Sequence, residues 1–186
     1  LWGAAWCAFS AKKRGLSSLC SQALDVAAKS ASAQESNGAW RYGTLRHHSF
    51  IDGFHTGYNL EALKLLSNTC GTDAFEQQIS LGINYYLDTF ILEDGTVKYY
   101  DNSTTPLDTH NFAQAILTIL KVDPTPASIQ KCNRVVNSKI RLLYDIKLGR
   151  FIYQTSRWMR NSINYTRWTQ AWAYYSLAYF NRFVAE

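Results

Sequence analysis

The chain has 186 residues, a net charge of +5 and 15% aromatic side chains, including six tryptophans and twelve tyrosines. This length predicts one domain with room for a sizeable hydrophobic core. Its lysines and arginines are scattered without a dense basic run, which argues against nucleic acid as a partner. No apolar run reaches the length of a transmembrane segment.

Cysteine and histidine spacing argues against a metal site. The four cysteines, Cys7, Cys20, Cys70 and Cys132, form no CxxC motif, and their scatter predicts buried thiols in a reducing, cytoplasmic compartment. A second candidate metal site consists of His47, His48, Asp52 and His55, but the spacing of these residues is too loose to predict zinc ligation. We predict neither a metal nor a cofactor.

The first two predicted helices cover residues 1–12 and about 16–33. Trp2, Trp6 and Phe9 recur at helical spacing in the first. The second is apolar on one face only, which is typical of an outer helix. Because the chain begins within an apolar helix and without a methionine, we expect it to be the C-terminal part of a longer protein.

The later predicted helices alternate between two kinds. Two of them are apolar nearly all round, at residues 55–68 and 112–120, and two have a single apolar face, at residues 75–90 and 126–143. A last helix, at residues 167–184, is rich in tryptophan and tyrosine. Helices buried on all sides that alternate with one-faced helices predict an inner and an outer ring.

Several residues mark where these helices begin and end. Gly71 is the predicted stop of the third helix. Asp73 and Glu76 have the spacing of a capping box for the fourth helix. The predicted N-cap of the fifth helix is Asp108 or Thr109.

A four-part pattern recurs along the chain. A glycine is followed four residues later by a tyrosine, then after a gap by a polar residue, and four residues further on by an amide. Its members are Gly38, Tyr42, His55 and Asn59, then Gly95, Tyr99, His110 and Gln114, and then Gly149, Tyr153, Thr166 and Gln170. This pattern predicts a helical-hairpin repeat. Its long loops gather at one rim with the N-termini of the inner helices, whose N–H groups suit an acidic or hydroxyl-rich ligand.

Three segments resemble the (α/α) toroid proteins of carbohydrate metabolism: SFIDGFHTGYNLEAL, DGTVKYY and PLDTHNFAQAI. That group includes six-hairpin glycosidases, sugar 2-epimerases, unsaturated-uronide hydrolases and some polysaccharide lyases. The segments are most similar to bacterial proteins encoded with capsule or exopolysaccharide biosynthesis genes. The resemblance is good over Trp40 to Gln114 and holds only by pattern elsewhere.

The resemblance implies an all-α fold, a partial (α/α) toroid of about seven alternating inner and outer helices. Residues 1–186 would form one toroid domain whose remaining hairpins lie outside this chain, so the remainder of the same toroid is an expected partner. A terpenoid-cyclase-like toroid is a weaker alternative, because it would need an aspartate-rich DDxxD or DxDD motif, which this chain lacks.

Four rim residues are the predicted catalytic centre. Asp52 and Asp108 precede inner helices and could act as acid and base, or as acid and nucleophile, on a glycosidic bond. The alternative is that each caps its own helix. His55 and His110 could move a proton at a sugar carbon, as in an epimerase or lyase, or they could hydrogen-bond a neighbouring loop.

The predicted sugar contacts are aromatic, amide and arginine side chains of the same rim: Trp40, Tyr42, Tyr58, Asn59, Tyr99, Gln114, Arg167 and Trp168. For the aromatic residues, core packing is the alternative. Arg157 and Arg160 lie in the third loop, at residues 149–166, and Arg167 begins the last helix; these arginines could hold a uronate carboxylate or a phosphate.

These residues predict a carbohydrate-active protein of bacterial exopolysaccharide or capsule metabolism. It would bind an oligosaccharide or polysaccharide and hydrolyse, eliminate or epimerise it. The alternative is a non-catalytic glycan-binding or assembly subunit. Whether the protein is an enzyme stays open; an enzyme would be like a glycoside hydrolase, a polysaccharide lyase or a sugar epimerase.

Overall fold

The computed structural model describes residues 1–16 and 18–185 and is mostly helical. Ser17, which lies within the predicted second helix, is outside the described residues. The α-helices in chain order are α1 (Trp2–Lys13), α2 (Ser18–Ser32), α3 (Gly53–Cys70), α4 (Glu76–Thr89), α5 (Thr109–Val122), α6 (Pro126–Arg134) and α7 (Ala171–Ala185). An all-α fold with seven helices is therefore confirmed.

Short irregular segments fill the connections. The turns are 3₁₀ at Arg46–His48 and Ile140–Leu143, and π-helical at Val135–Lys139 and Thr166–Gln170. Five two-residue strands complete the loops: β1 (Leu107–Asp108), β2 (Tyr144–Asp145), β3 (Arg150–Phe151), β4 (Gln154–Thr155) and β5 (Arg160–Asn161). β4 lies between β1 and β5 in one antiparallel sheet, and β2 pairs with β3.

Four helices form a central row in the order α1, α3, α5, α7, with each packed on the next. The other three helices pack against this row: α2 against α1 and α3, α4 against α3, and α6 against α5. The row includes α3 and α5, the two helices that were predicted to be apolar nearly all round. Among them, α5 is buried at every residue from Thr109 to Leu120, as expected of a helix with neighbours on all sides.

The loops before α3 and α5 make equivalent contacts. The Gly53 N–H donates to the carbonyl of Tyr99 at 2.9 Å, and the Thr109 N–H donates to the carbonyl of Tyr153 at 3.1 Å. Asp52 also forms an antiparallel β-bridge with Tyr100, which follows Tyr99. In the same way, Asp108 pairs with Gln154, which follows Tyr153. Each loop is thus tied to the next one, and the starts of α3 and α5 are held at the same rim.

The repeat glycines take the left-handed conformation, with φ of 94° at Gly38, 80° at Gly95 and 61° at Gly149. Gly95 also lies against a helix backbone, since a methyl group there would come within 2.5 Å of the Arg134 carbonyl oxygen. Nothing lies within 4 Å of the equivalent position at Gly149. At Gly38 and Gly95, both the positive φ and close packing against neighbouring backbone require glycine. At Gly149, only the positive φ does.

Replacing Gly95 with alanine is expected to lower the free energy of unfolding by about 3 kcal/mol, because left-handed strain and overpacking add. The matched Gly149→Ala variant should lose only about 1 kcal/mol from strain. Urea denaturation measures both. Equal losses would contradict the packing of the Gly95 turn against the backbone of Arg134, the last residue of α6.

Two of the three predicted end signals are confirmed, whereas the helix predicted over residues 126–143 ends as an α-helix at Arg134 and continues as a π-helical and a 3₁₀ turn. Asp108 is the N-cap of α5, with its carboxylate accepting from the Asn111 N–H, and Gly71 ends α3 at φ 68°. The predicted capping box of Asp73 and Glu76 is wrong: α4 starts at Glu76, and its N-cap Phe75 provides no side-chain cap. Asp73 instead accepts the Glu76 N–H with its backbone carbonyl, since a turn precedes the helix there.

Across residues 1–16 and 18–185, none of the helices combines the length and the apolar character needed to cross a lipid bilayer.

Candidate functional site

Asp52 and His55 form a carboxylate–imidazole pair at the start of α3. Asp52 is the N-cap and is 2% exposed. Its Oδ1 accepts from the His55 N–H at 2.7 Å, and its Oδ2 lies 2.7 Å from Nδ1 of the same histidine. Because a carboxylate oxygen accepts hydrogen bonds, Nδ1 carries the hydrogen and Nε2 keeps a lone pair. The His55 side chain is 40% exposed, so that lone pair is accessible as a base.

Asp108 occupies the equivalent position on α5 and is also 2% exposed. Its Oδ1 accepts from the Asn111 N–H at 2.8 Å and its Oδ2 from the Gln154 side chain at 2.6 Å. Burial raises the pKa of the Asp108 carboxyl, and these hydrogen bonds oppose that rise. Both aspartates thus cap their own helices, and their contacts engage all four carboxylate oxygens.

His110 lies wholly buried in an aromatic cluster, with the ring of Trp168 at 4.0 Å and that of Trp172 at 4.7 Å. Its Nε2 is 2.6 Å from the hydroxyl of Tyr58. Burial lowers the pKa of His110 to about 3, with a further contribution from His55. Burial likewise raises the pKa of the Tyr58 hydroxyl. The phenol therefore stays protonated and donates to the neutral imidazole.

This protonation places the remaining His110 hydrogen on Nδ1, which is buried and has no hydrogen-bond partner among the described residues. A buried imidazole with its Nε2 engaged holds the Tyr58 hydroxyl in place and offers no free nitrogen lone pair to a ligand. The two histidines predicted as a pair thus differ in role: His55 is open and supported by a carboxylate, whereas His110 is a buried acceptor.

A cleft of about 560 Å³ opens beside this cluster at the start of α7. We call it the rim cleft; its lining residues are Asn164, Tyr165, Thr166, Arg167, Trp168 and Trp172. Trp168 is exposed on this side while its ring contacts His110 and Phe54. The cleft thus offers an aromatic face, a guanidinium and hydroxyl or amide groups, a combination suited to an acidic sugar.

The remaining predicted sugar contacts lie in several places. Trp40 and Gln114 are buried, with Trp40 donating to the Ser30 carbonyl and Gln114 to Glu61. Both side chains therefore hold the core together, and neither is assigned a ligand contact. Asn59 is half-buried on α3.

Tyr42 and Tyr99 belong to the aromatic surface around the two histidines. The Tyr42 ring stacks on Phe50 at 4.9 Å and meets His55 at 4.7 Å. Tyr99 packs against Phe54 at 5.4 Å. The structure therefore gathers Tyr42, Tyr58, Tyr99 and Trp168 around the histidines.

Sequence reasoning missed three residues near this site: Trp172, Glu61 and Lys121. Trp172 follows Trp168 by four residues, so helical spacing already placed both on one face. Glu61 is a lone carboxylate in a helix that is otherwise apolar nearly all round, a pattern that indicates a buried partner. That partner is Lys121, whose Nζ lies 2.7 Å from Oε2 of Glu61.

Within the described ranges, no group of three or more histidine, cysteine, aspartate or glutamate side chains is placed to hold a metal ion.

Comparison with known proteins finds no matching family model, no similar curated protein and no similar solved structure.

Proposed function

We propose that this chain is part of an (α/α) toroid that binds an acidic oligosaccharide at the rim cleft, in bacterial exopolysaccharide or capsule metabolism. The toroid and its biological setting rest on the resemblance of the Trp40–Gln114 segments. The choice of ligand rests on the rim cleft, where Arg167 lies beside the exposed ring of Trp168.

The observation that carries a catalytic role is the Asp52–His55 pair. The carboxylate orients the imidazole through Nδ1 and stabilises the positive charge that forms when Nε2 takes a proton. The Phe54 ring lies 4.3 Å from His55 and 6.2 Å from Trp168, so one aromatic ring separates the base from the stacking surface. We propose that a sugar ring held on Trp168 extends across Phe54 to within reach of His55.

Among the candidate reactions, elimination at a uronate suits a single accessible base. His55 removes the proton from the carbon next to the sugar carboxylate, whose negative charge Arg167 offsets. The released electron pair forms a carbon–carbon double bond and expels the glycosidic oxygen on the next carbon. The imidazolium returns the proton to that oxygen. Hydrolysis by Asp52 and Asp108 is less favoured, because their oxygens are engaged in capping.

A non-catalytic glycan-binding subunit is the second candidate. The burial of His110 favours this candidate. Of the two histidines that were predicted to move a proton, only His55 is open to solvent. Epimerisation needs two groups on opposite faces of the sugar carbon, and binding alone needs neither.

Titration of the chain with oligogalacturonides, followed by calorimetry, tests the ligand class. We expect saturable binding that Arg167→Ala weakens by about tenfold, because one charge-assisted contact to a carboxylate is lost. Arg157 is the matched control, since it is an exposed arginine outside the lining of the rim cleft whose guanidinium stacks on Trp158, and Arg157→Ala should bind normally. An absence of binding by wild-type protein at any chain length would overturn the proposal.

A further inference from the structure

A second cavity, of about 280 Å³, lies along the central row. Trp2 and Trp6 of α1 form one wall, and Tyr175 and Tyr179 of α7 form the other. Between them, α3 and α5 provide Glu61 and Lys121. We call this cavity the central groove, and it is separate from the rim cleft.

Aromatic rings connect the central groove with the rim cleft. Trp172, which lines the rim cleft, lies 5.9 Å from Tyr58 and 6.4 Å from Tyr175, and Tyr58 lies 5.3 Å from Trp2. Residues 172, 175 and 179 fall on one face of α7 and span about 10 Å at 1.5 Å per residue. A ligand that enters at the rim cleft thus meets further aromatic surface along the row.

The α1 wall continues in the same direction. Trp2, Trp6 and Phe9 lie one turn apart, with successive ring centroids at 6.2 and 5.5 Å. A further cavity beyond Trp6 is lined by Phe9, Lys12 and Lys13, and it shares Leu65 and Asn68 with the central groove. Stacking surface therefore extends over more than one cavity, which suits a chain of rings better than a single ring.

The charges along this path favour an acidic chain. Arg167 lies at one end and Lys13 at the other, with Lys64 and Lys121 between them. The acidic groups that face the path are paired: Glu61 with Lys121 at 2.7 Å, and Glu76 with Lys64 at 3.5 Å. The net excess is therefore positive, in keeping with the chain's charge of +5.

Lys121 can donate a further hydrogen bond to a polar group of a ligand. Glu61 takes one of its hydrogen bonds and Tyr175 another, while an ammonium group has three N–H donors. The rings of Tyr175 and Tyr179 lie 5.1 and 5.6 Å from its Nζ, which stabilises the cation at the groove wall.

We infer that the central groove binds the continuation of a linear polyuronate whose end is held at the rim cleft. The occupant is thus an extended acidic oligosaccharide. This inference rests on the proposed function, because the rim cleft must first hold a uronate.

The affinity for oligogalacturonides of increasing length, from one to six sugars, tests the inference. We expect wild-type affinity to rise with length, and Trp6→Ala to weaken hexamer binding by about tenfold through the loss of one stacking surface. Binding of the monomer and dimer should stay unchanged. Lys13→Gln should also weaken the hexamer selectively. Trp6 is 42% exposed, so the fold should tolerate its loss, which circular dichroism checks.

Tyr174→Ala is the matched control, because Tyr174 neighbours Tyr175 on α7, is 77% exposed and lies outside the groove lining. It should bind every length normally. Affinity that does not depend on length, or equal weakening of dimer and hexamer by Trp6→Ala, would overturn the inference and leave the rim cleft intact. Failure of every oligogalacturonide to bind wild-type protein would overturn the proposed function as well.

Discussion

Replacing His55 with alanine is expected to lower turnover of a uronate oligosaccharide by about 10²- to 10⁴-fold, the usual contribution of a general base. Affinity for the same oligosaccharide should change little, because Trp168 and Arg167 provide the binding contacts. Asp52→Asn should lower turnover through the same base, since an amide in place of the carboxylate no longer stabilises the imidazolium. Ultraviolet absorbance of the unsaturated product gives turnover, and calorimetry gives affinity.

His47→Ala is the control for this experiment. His47 is an exposed histidine of the same loop, in the Arg46–His48 turn, and its loss should leave turnover unchanged. Equal turnover in wild type and His55→Ala would contradict the role of His55 as the base. Binding without turnover by the wild-type protein would favour the non-catalytic subunit.

Replacing Glu61 with alanine is expected to lower the free energy of unfolding by about 3–5 kcal/mol, because it leaves a mostly buried lysine without its counter-ion. Glu61 also accepts hydrogen bonds from Gln114 at 2.5 Å and from Thr118 at 3.3 Å, and both lose their partner. Urea denaturation measures the loss. A lower urea concentration at the unfolding midpoint, with an unchanged slope of free energy against urea, identifies the change as one of stability.

Glu76→Ala is the matched control, because Glu76 is half-exposed and pairs with Lys64 only at 3.5 Å. Its loss should cost at most about 1 kcal/mol. Replacing both members of the buried pair, as Glu61→Leu with Lys121→Met, should recover much of the stability lost in Glu61→Ala. If Glu61→Ala and Glu76→Ala were equally mild, the buried network would contribute nothing to the fold.

The local features of the fold were predictable because they depend on neighbouring residues. Apolar spacing located all seven helices, and the Gly71 stop and the Asp108 cap lie where their residue types predicted. The capping box at Asp73 failed because its spacing is also compatible with the turn that precedes Phe75. A carboxylate three residues before a glutamate is necessary for that box, but it is not sufficient.

The recurring glycine and tyrosine pattern was visible in the sequence, but the backbone contacts of the repeated tyrosines were not. Glycine and tyrosine recurred at fixed offsets, yet the sequence did not indicate that Tyr99 and Tyr153 would pair with the preceding loop. The two strands that continue the third loop after Tyr153, β4 and β5, were also missed, because two-residue strands carry no periodicity.

The candidate site depends on contacts between distant parts of the chain. His55 donates to its carboxylate partner, Asp52, from only three residues away, but these two residues were not predicted to pair. By contrast, Tyr58 meets His110 across 52 positions, and Lys121 meets Glu61 across 60. Residue type could not separate the open histidine from the buried one, because burial is decided by how α7 packs on α5.

The most direct test is a crystal structure of the chain with a bound oligogalacturonide. We predict a sugar ring stacked on Trp168, its carboxylate on Arg167, and the carbon beside that carboxylate within reach of Nε2 of His55. The following sugars should run past Tyr58 toward Tyr175 and Trp6. An oligosaccharide bound at another surface, with the rim cleft unchanged, would contradict both the site and the function proposed for it.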